Sequence, residues 1–158
     1  MCSSTAARED NDLIIAEVAA DYILKAQPDF VFIYLERTDW VGHVCGYMSE
    51  SYLAAVQTAD QAVGLLLEAL IKVEWIDQYT ILIQSDHGGS GYHHMDVSVP
   101  EIMTVPWIVA GPAVRRGYTI VSELTVLDTA PTIARLLNIR PHHTWEGKVV
   151  EEIFKPKE

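Results

Sequence analysis

Two patterns of apolar and polar residues recur along the chain, and they predict its helices and strands. In residues 12–27 and 50–73, apolar side chains recur every three or four positions, which predicts two amphipathic helices. Pro28 ends the first helix, and Ser49 is placed to cap the second. Three short apolar runs without alternation predict strands that are covered on both faces, at residues 30–35, 79–84 and 106–110.

The apolar positions also predict which face of each long helix is buried. On the first helix the predicted buried stripe consists of Leu13, Ile14, Val18 and Tyr22, widened by Ile15 and Ile23. On the second helix it consists of Leu53, Val56, Ala59, Val63, Leu66, Leu67 and Leu70.

Weaker patterns complete the order of elements. Residues 129–137 predict a helix with Thr129 as its cap and Pro131 in its first turn. Residues 118–121 are expected to form a short edge strand, and residues 148–154 a final helix or strand. Because strands and helices alternate, we expect an α/β fold whose strands lie mostly in a parallel sheet.

The composition indicates a single folded domain. The chain has 158 residues, of which 49% are hydrophobic and 21% charged, and this excludes an intrinsically disordered protein. The polar residues 1–11 are expected to form a flexible tail, so that the folded part covers residues 12–158. A formal net charge of −11 argues against binding to a nucleic-acid backbone, which requires an excess of Lys and Arg.

The apolar stretches and the cysteines bear on where the protein acts. No stretch reaches the ~20 apolar residues of a membrane span, and residues 1–12 lack a signal-peptide pattern. Cys2 and Cys45 are too few for a disulfide framework, and Cys45 is most simply a buried small hydrophobic residue. We therefore expect a cytoplasmic protein without a membrane partner.

Acidic and imidazole side chains are concentrated directly after the predicted strands. They are Asp39 and His43 after the first strand, Asp86 and His87 after the second, and His93 and His94 shortly beyond. Polar groups that follow the carboxyl ends of parallel strands meet at one edge of the sheet. Asp and His are ligands that Zn²⁺ and Mn²⁺ accept, so the sequence predicts a divalent-metal site. Asp39 and His43 share a face if their segment is helical, because they are four residues apart.

Four sequence motifs surround these residues. Two of them are the DxxGH pattern at residues 39–43 and the SDHG pattern at residues 85–88. The other two are PWIVAGP at residues 106–112 and DTAPTIARLL at residues 128–137. Together they resemble the alkaline phosphatase superfamily, and in particular its type I phosphodiesterase/nucleotide pyrophosphatase branch with its sulfatase-like relatives. The resemblance implies a three-layer α/β/α fold, of which residues 12–158 form the C-terminal, metal-binding half.

The resemblance also implies a hydrolase of small phosphoric esters that uses two divalent ions, Zn²⁺ or alternatively Mn²⁺. It assigns the first ion to Asp39, His43 and His94, with His93 as the alternative, and the second ion to Asp86 and His87. His142 and His143, late in the chain, are a reserve for a further ligand, as in some relatives.

The Ser or Thr nucleophile of the family has no counterpart where the resemblance predicts it. The family places it well before DxxGH, and only 38 residues precede Asp39. Ser3, Ser4 and Thr5 lie in the polar tail, and Cys2 is not followed by the Pro and Arg of the sulfatase motif. We therefore expect no catalytic nucleophile on this chain and little activity from it alone. We also expect self-association over an exposed sheet edge.

Other functions are compatible with the same ligands. A sulfatase, a phosphotransferase or a phosphoglycerate mutase of the same superfamily would differ chiefly in the nucleophile and the substrate cap. A non-catalytic metal-binding or interaction module would keep the ligands by descent.

Overall fold

The computed structural model describes residues 11–156 of the chain. In this range the helices are α1 Asn11–Ala26, α2 Arg37–Cys45, α3 Glu50–Lys72, α4 Pro100–Met103 and α5 Thr129–Leu136. The strands are β1 Ile81–Gln84 and β2 Trp107–Ala110, and the single 3₁₀ turns are Val126–Asp128 and Glu151–Ile153. The tail predicted for residues 1–11 lies outside the described residues except for Asn11, as do Cys2, Ser3, Ser4 and Thr5.

The chain folds into two units. Among the described residues, the first comprises residues 11–76 together with His87–Pro106, and the second comprises Asp77–Asp86 together with residues 107–156. In the first unit α1 and α2 pack against α3. The second unit contains the two strands and α5. A mixed α/β fold is therefore confirmed, whereas the described residues do not form a three-layer parallel sheet.

Helices α1 and α3 pack together, and most of their buried apolar residues are small. These buried residues are Ala16 and Ile23 on α1 and Ala55, Ala62 and Leu70 on α3. Small side chains at a helix contact allow a short distance between the helix axes.

The predicted buried stripe of α1 is therefore wrong in part. Ile14, Val18 and Tyr22 are between 50% and 65% exposed, and the face with the alanine packs instead. On α3, Leu53 and Val56 are likewise exposed. Among the described helices α3 alone has the length and hydropathy to cross a membrane, a test that core helices of soluble proteins also pass.

The two strands pair in antiparallel rather than parallel orientation. Ile81 lies opposite Ala110, and Gln84 lies opposite Trp107. A parallel pair requires a crossover long enough to return the chain to the other end of the sheet. Between β1 and β2 the only described helix is α4, which has four residues. The predicted parallel pairing is wrong because this connection does not contain a crossover helix.

Residues 30–35 do not form the predicted strand. In the described part of the chain the sheet contains only β1 and β2, and neither pairs with this segment. Phe30, Phe32 and Tyr34 are more than half exposed, while the residues between them are partly buried. A strand requires hydrogen bonds to a neighbouring backbone, and β-prone side chains alone do not supply them.

The N-terminus of α5 differs from the predicted cap. Asp128, not Thr129, is the N-cap residue, and it forms a capping box with Thr125 around the preceding 3₁₀ turn. The hydroxyl of Thr129 donates to the side chain of Gln84 and accepts from Nε1 of Trp107 at 2.9 Å. Thr129 therefore ties α5 to both strands.

Residues 118–121 are held by a carboxylate instead of by strand pairing. Glu152 lies in the 3₁₀ turn that replaces the helix or strand predicted for residues 148–154. Its carboxylate accepts hydrogen bonds from the Tyr118 hydroxyl at 2.6 Å and the Val121 amide at 3.1 Å. It also accepts from the Ser122 amide at 3.0 Å and from the Ser122 hydroxyl.

These hydrogen bonds, first that of the Ser122 hydroxyl and then that of Tyr118, lower the pKa of Glu152 from 4.5 to about 2. Because the folded-state pKa is lowered, the stabilisation is present above about pH 4.5 and disappears as the pH falls toward 2. We expect Glu152→Gln to lower the urea midpoint of unfolding at neutral pH, with a difference from wild type that shrinks in acid. Tryptophan fluorescence over a series of pH values measures this difference.

The matched control is Glu151→Gln, which removes an exposed carboxylate from the same turn. We expect its midpoint to equal that of the wild type at every pH. Equal midpoints for Glu152→Gln and Glu151→Gln at neutral pH would contradict the role of Glu152.

Candidate metal centre

The carboxylate of Asp39 lies at the centre of three imidazoles in the first unit. Its Oδ1 atom is 3.5 Å from Nε2 of His43, 3.9 Å from Nε2 of His94 and 4.0 Å from Nε2 of His87. The four side chains are between 26% and 40% exposed, so the cluster is accessible from solvent.

Helix α2 places two members of the cluster. Asp39 lies in its first turn and His43 in its last, so their side chains share one face four residues apart. The helical turn on which the sequence prediction depended is thus confirmed. The helix ends at Cys45, and its C-cap residue is Gly46, whose φ of +92° favours glycine.

Backbone carbonyls determine which nitrogen carries the proton in two of the histidines. Nδ1 of His43 lies 2.7 Å from the oxygen of Tyr92, and Nδ1 of His87 lies 2.9 Å from the oxygen of Gly88. Because a carbonyl oxygen only accepts, each Nδ1 is assigned as the donor. In the neutral rings Nε2 then carries a lone pair close to the carboxylate. A cation stabilises such an arrangement of lone pairs around an anionic oxygen.

A tight loop brings His94 into the cluster. Ser90 and His93 exchange two backbone hydrogen bonds of 3.0 and 3.2 Å around Gly91, whose φ is +60°. The ring of His94 then stacks on that of His87, with centroids 3.7 Å apart. His93 is exposed and makes none of the cluster contacts found among the described residues.

Gly88 allows a close approach between this loop and α4. Its amide donates to the oxygen of Ile102 at 2.8 Å, and a Cβ atom at this position would overlap the oxygen of Glu101. A larger residue would displace the backbone next to His87. The sequence analysis did not predict α4, and its role is to support this loop.

The side chains fit a divalent ion. One ligand atom from each of Asp39, His87 and His94 lies within 4.8 Å of the other two. Ligands held ~2.0–2.2 Å from Zn²⁺ are roughly 3.3–3.6 Å apart in tetrahedral geometry. The distances of 3.5–4.0 Å from Oδ1 of Asp39 are slightly longer than this, so the side chains would have to move closer together around a bound ion. A carboxylate with imidazoles suits Zn²⁺ and Mn²⁺.

The remaining predicted ligands lie in the second unit. Asp86 is the second residue after the end of β1, and its side chain is exposed. His142 and His143 are also exposed, with ring centroids 4.3 Å apart, and Nδ1 of His142 lies 2.8 Å from Oγ1 of Thr144. The division of ligands between two ions, and the part of Asp86 in it, stays a prediction.

Sequence reasoning missed Tyr47. Its hydroxyl donates a hydrogen bond to Oδ1 of Asp39, the oxygen that faces the three imidazoles. A search for acidic and imidazole ligands does not find a tyrosine. Its one signal in the sequence is an aromatic side chain directly after Gly46, at the end of the DxxGH segment.

The sequence matches the family described as type I phosphodiesterase / nucleotide pyrophosphatase over residues 4–144. It is 36% identical over 136 residues to a venom phosphodiesterase of Macrovipera lebetinus, covering 82% of this chain and 16% of that protein. It is 30% identical over 119 residues to ectonucleotide pyrophosphatase/phosphodiesterase family member 1 of Mus musculus, covering 72% of this chain and 13% of that protein. The chain thus spans about one sixth or less of the length of these relatives.

The fold is similar to that of a solved structure. The crystal structure of Ps i-CgsB in complex with k-i-k-neocarrahexaose superposes with a TM-score of 0.61 at 20% sequence identity. The match covers 87% of this chain and 36% of that one. This neighbour has the alkaline-phosphatase-like fold of the sulfatases, in agreement with the fold family expected from the sequence.

The expected cytoplasmic location is wrong. The relatives are venom phosphodiesterases and ectonucleotide pyrophosphatases, which are not cytoplasmic proteins. Cys45 is only partly buried, which corrects its interpretation as a buried small hydrophobic residue.

Replacing Asp39 by Asn preserves the size of the side chain and removes the charge at the centre of the cluster. We expect Asp39→Asn to weaken Zn²⁺ binding by at least about tenfold, because the carboxylate is the anionic ligand of the group. Competition with a chromophoric chelator measures the dissociation constant. The control is Asp60→Asn, which removes the same charge from an exposed position on α3. Equal Zn²⁺ affinity in the two variants would contradict the proposed centre.

Proposed function

Because the chain belongs to the type I phosphodiesterase/nucleotide pyrophosphatase family, we propose that it supplies divalent-ion ligands to a hydrolase of phosphoric esters. Its relatives are named phosphodiesterases and nucleotide pyrophosphatases, which are hydrolases. The observation that carries the proposal is the meeting of the Asp39 carboxylate with the Nε2 atoms of His43, His87 and His94.

The proposed ligands follow the motifs of the family. The first ion is assigned to Asp39, His43 and His94, with His93 as the alternative, and the second ion to Asp86 and His87. His87 also lies within 4.0 Å of Oδ1 of Asp39 in the first unit. Zn²⁺ is the preferred ion because it is commonly held by Asp and His in this way, and Mn²⁺ is the alternative.

The residues of this chain would hold and orient the reacting groups. When bound, divalent ions polarise a phosphoryl group and stabilise its leaving oxygen. Asp39 neutralises part of the ionic charge, while the carbonyls of Tyr92 and Gly88 fix His43 and His87 with Nε2 toward the centre. Bound cations are also required for attraction of an anionic ester, since the chain carries a formal charge of −11.

We propose that the nucleophile of the whole protein comes from outside this segment, since no Ser or Thr here matches the position known from the family. Turnover by this chain alone is then slow. Residues 12–158 correspond to the C-terminal, metal-binding half of the family's domain. A homo-oligomer that covers exposed apolar residues, such as Ile14, Val18 and Tyr22, is a further proposal.

The test compares the Zn²⁺-loaded chain with the same chain in EDTA. We expect inorganic phosphate to bind only to the loaded chain, because the bound ions supply the positive charge that attracts it. We expect slow, Zn²⁺-dependent turnover of bis(4-nitrophenyl) phosphate and none of 4-nitrophenyl sulfate. Calorimetry measures phosphate binding, and release of 4-nitrophenolate measures turnover.

The outcomes separate the alternatives. Phosphate binding that is unaffected by EDTA, or a chain that does not bind Zn²⁺, would contradict the proposal. Preferential turnover of the sulfate ester would indicate a sulfatase instead. Rapid turnover of the phosphodiester would show that the nucleophile is present on this chain.

A further inference from the structure

Tyr47 lies in the short connection between α2 and α3. It directly follows Gly46, the C-cap residue of α2, and lies two residues before Ser49. The hydroxyl of Ser49 accepts a hydrogen bond from the Tyr52 amide at 3.2 Å and caps α3. The amide of Tyr47 donates to the oxygen of Gly91 at 2.8 Å, in the loop that carries His94. Its backbone therefore links the helix of Asp39 to the loop that completes the cluster.

Two glycines make room for the ring of Tyr47. A Cβ atom at Gly42 would lie 2.6 Å from Cε1 and Cζ of Tyr47, and one at Gly89 would overlap the same ring. Neither glycine has a positive φ, so the backbone conformation does not require them. Glycine inside a helix costs about 1 kcal/mol relative to alanine, and Gly42 lies within α2. Both glycines thus leave space that the ring of Tyr47 occupies.

The hydroxyl of Tyr47 is directed at the centre of the cluster. It donates to Oδ1 of Asp39, and this oxygen lies within 4.0 Å of three imidazole nitrogens. An ionised carboxylate has about four lone-pair sites, so one hydrogen bond leaves capacity for a metal ion. The bond restricts rotation of the carboxylate before any ion binds.

We propose that Tyr47 is a positioning residue for Asp39, and that Gly42 and Gly89 serve to seat its ring. This inference rests on the proposed metal site. The hydroxyl holds the carboxylate in the orientation in which it meets His43, His87 and His94. Groups that hydrogen-bond to metal ligands typically contribute about 10- to 100-fold to metal affinity. Tyr47 thus acts on the ion through Asp39 and need not contact it.

The first test is Tyr47→Phe, which keeps the ring between the glycines and removes only the hydroxyl. We expect its Zn²⁺ dissociation constant to rise about 10- to 100-fold, with the melting temperature of the metal-free protein nearly unchanged. The visible absorption of the Co²⁺-substituted protein should also change, because the carboxylate is reoriented. Tyr52→Phe is the control, since it removes a hydroxyl from a ring 5.4 Å away.

The second test uses Gly89→Ala, whose new methyl group displaces the ring while the hydroxyl remains in the sequence. We expect it to weaken Zn²⁺ binding to a similar extent as Tyr47→Phe. In the double variant the two losses should not add, because both act through the same hydrogen bond. Additive losses of Zn²⁺ affinity would mean that Gly89 acts on the site independently of Tyr47. That result would contradict the proposal that Gly89 serves to make room for the ring of Tyr47.

The outcomes distinguish this inference from the proposed function. A wild-type chain that does not bind Zn²⁺ would refute the metal site itself. If the wild type binds and Tyr47→Phe binds equally well, the positioning role is wrong while the site stands. Loss of the metal-free fold in Tyr47→Phe would also overturn the inference, since the hydroxyl would then be structural. Weaker binding with an intact fold and an altered Co²⁺ spectrum supports it.

Discussion

The orientation of one carboxylate oxygen constrains the whole candidate centre. Oδ1 of Asp39 lies within 4.0 Å of Nε2 atoms from three imidazoles that come from three places in the sequence. In their neutral forms, the two histidines whose Nδ1 atoms donate to carbonyls present lone pairs close to this anionic oxygen. Such an arrangement gains its stabilisation from a cation. The geometry of helix α2 and of the loop through His94 therefore forms the candidate metal centre.

Close backbone approaches make this arrangement possible. Gly42 and Gly89 leave space for the ring of Tyr47, and Gly88 leaves space for α4 beside the loop. In each case a Cβ atom would overlap a neighbour, while none of these three glycines requires a positive φ. The glycines of the DxxGH and SDHGG segments therefore serve packing around the ligands rather than turn conformation.

The other two family motifs have structural roles in the second unit. Asp128 of the DTAPT segment accepts from the amides of Lys148 at 2.7 Å and Thr125 at 2.8 Å, which fixes the start of α5. Thr129 connects α5 with Gln84 and Trp107 of the two strands. Thr132 accepts from the amide of Val150 at 3.0 Å. The motif residues of this family thus fall into two groups. One group forms the candidate centre, and the other forms the hydrogen bonds that fix α5 and connect it to the two strands.

The sequence alone determined the residue types at the centre, the two long helices and the family. For Asp39 and His43 the spacing was sufficient to predict that their side chains lie together, because residues four positions apart in a helix share one face. Tertiary structure decided the rest. The resemblance favoured His94 over the adjacent His93, and the structure places the ring of His94, just after the hydrogen-bonded turn from Ser90 to His93, against the ring of His87. Residues 30–35 have a strand's composition but pair with none of residues 11–156, and strand pairing depends on backbones distant in the chain. Tyr47 was not predicted because its role arises from the space between two glycines.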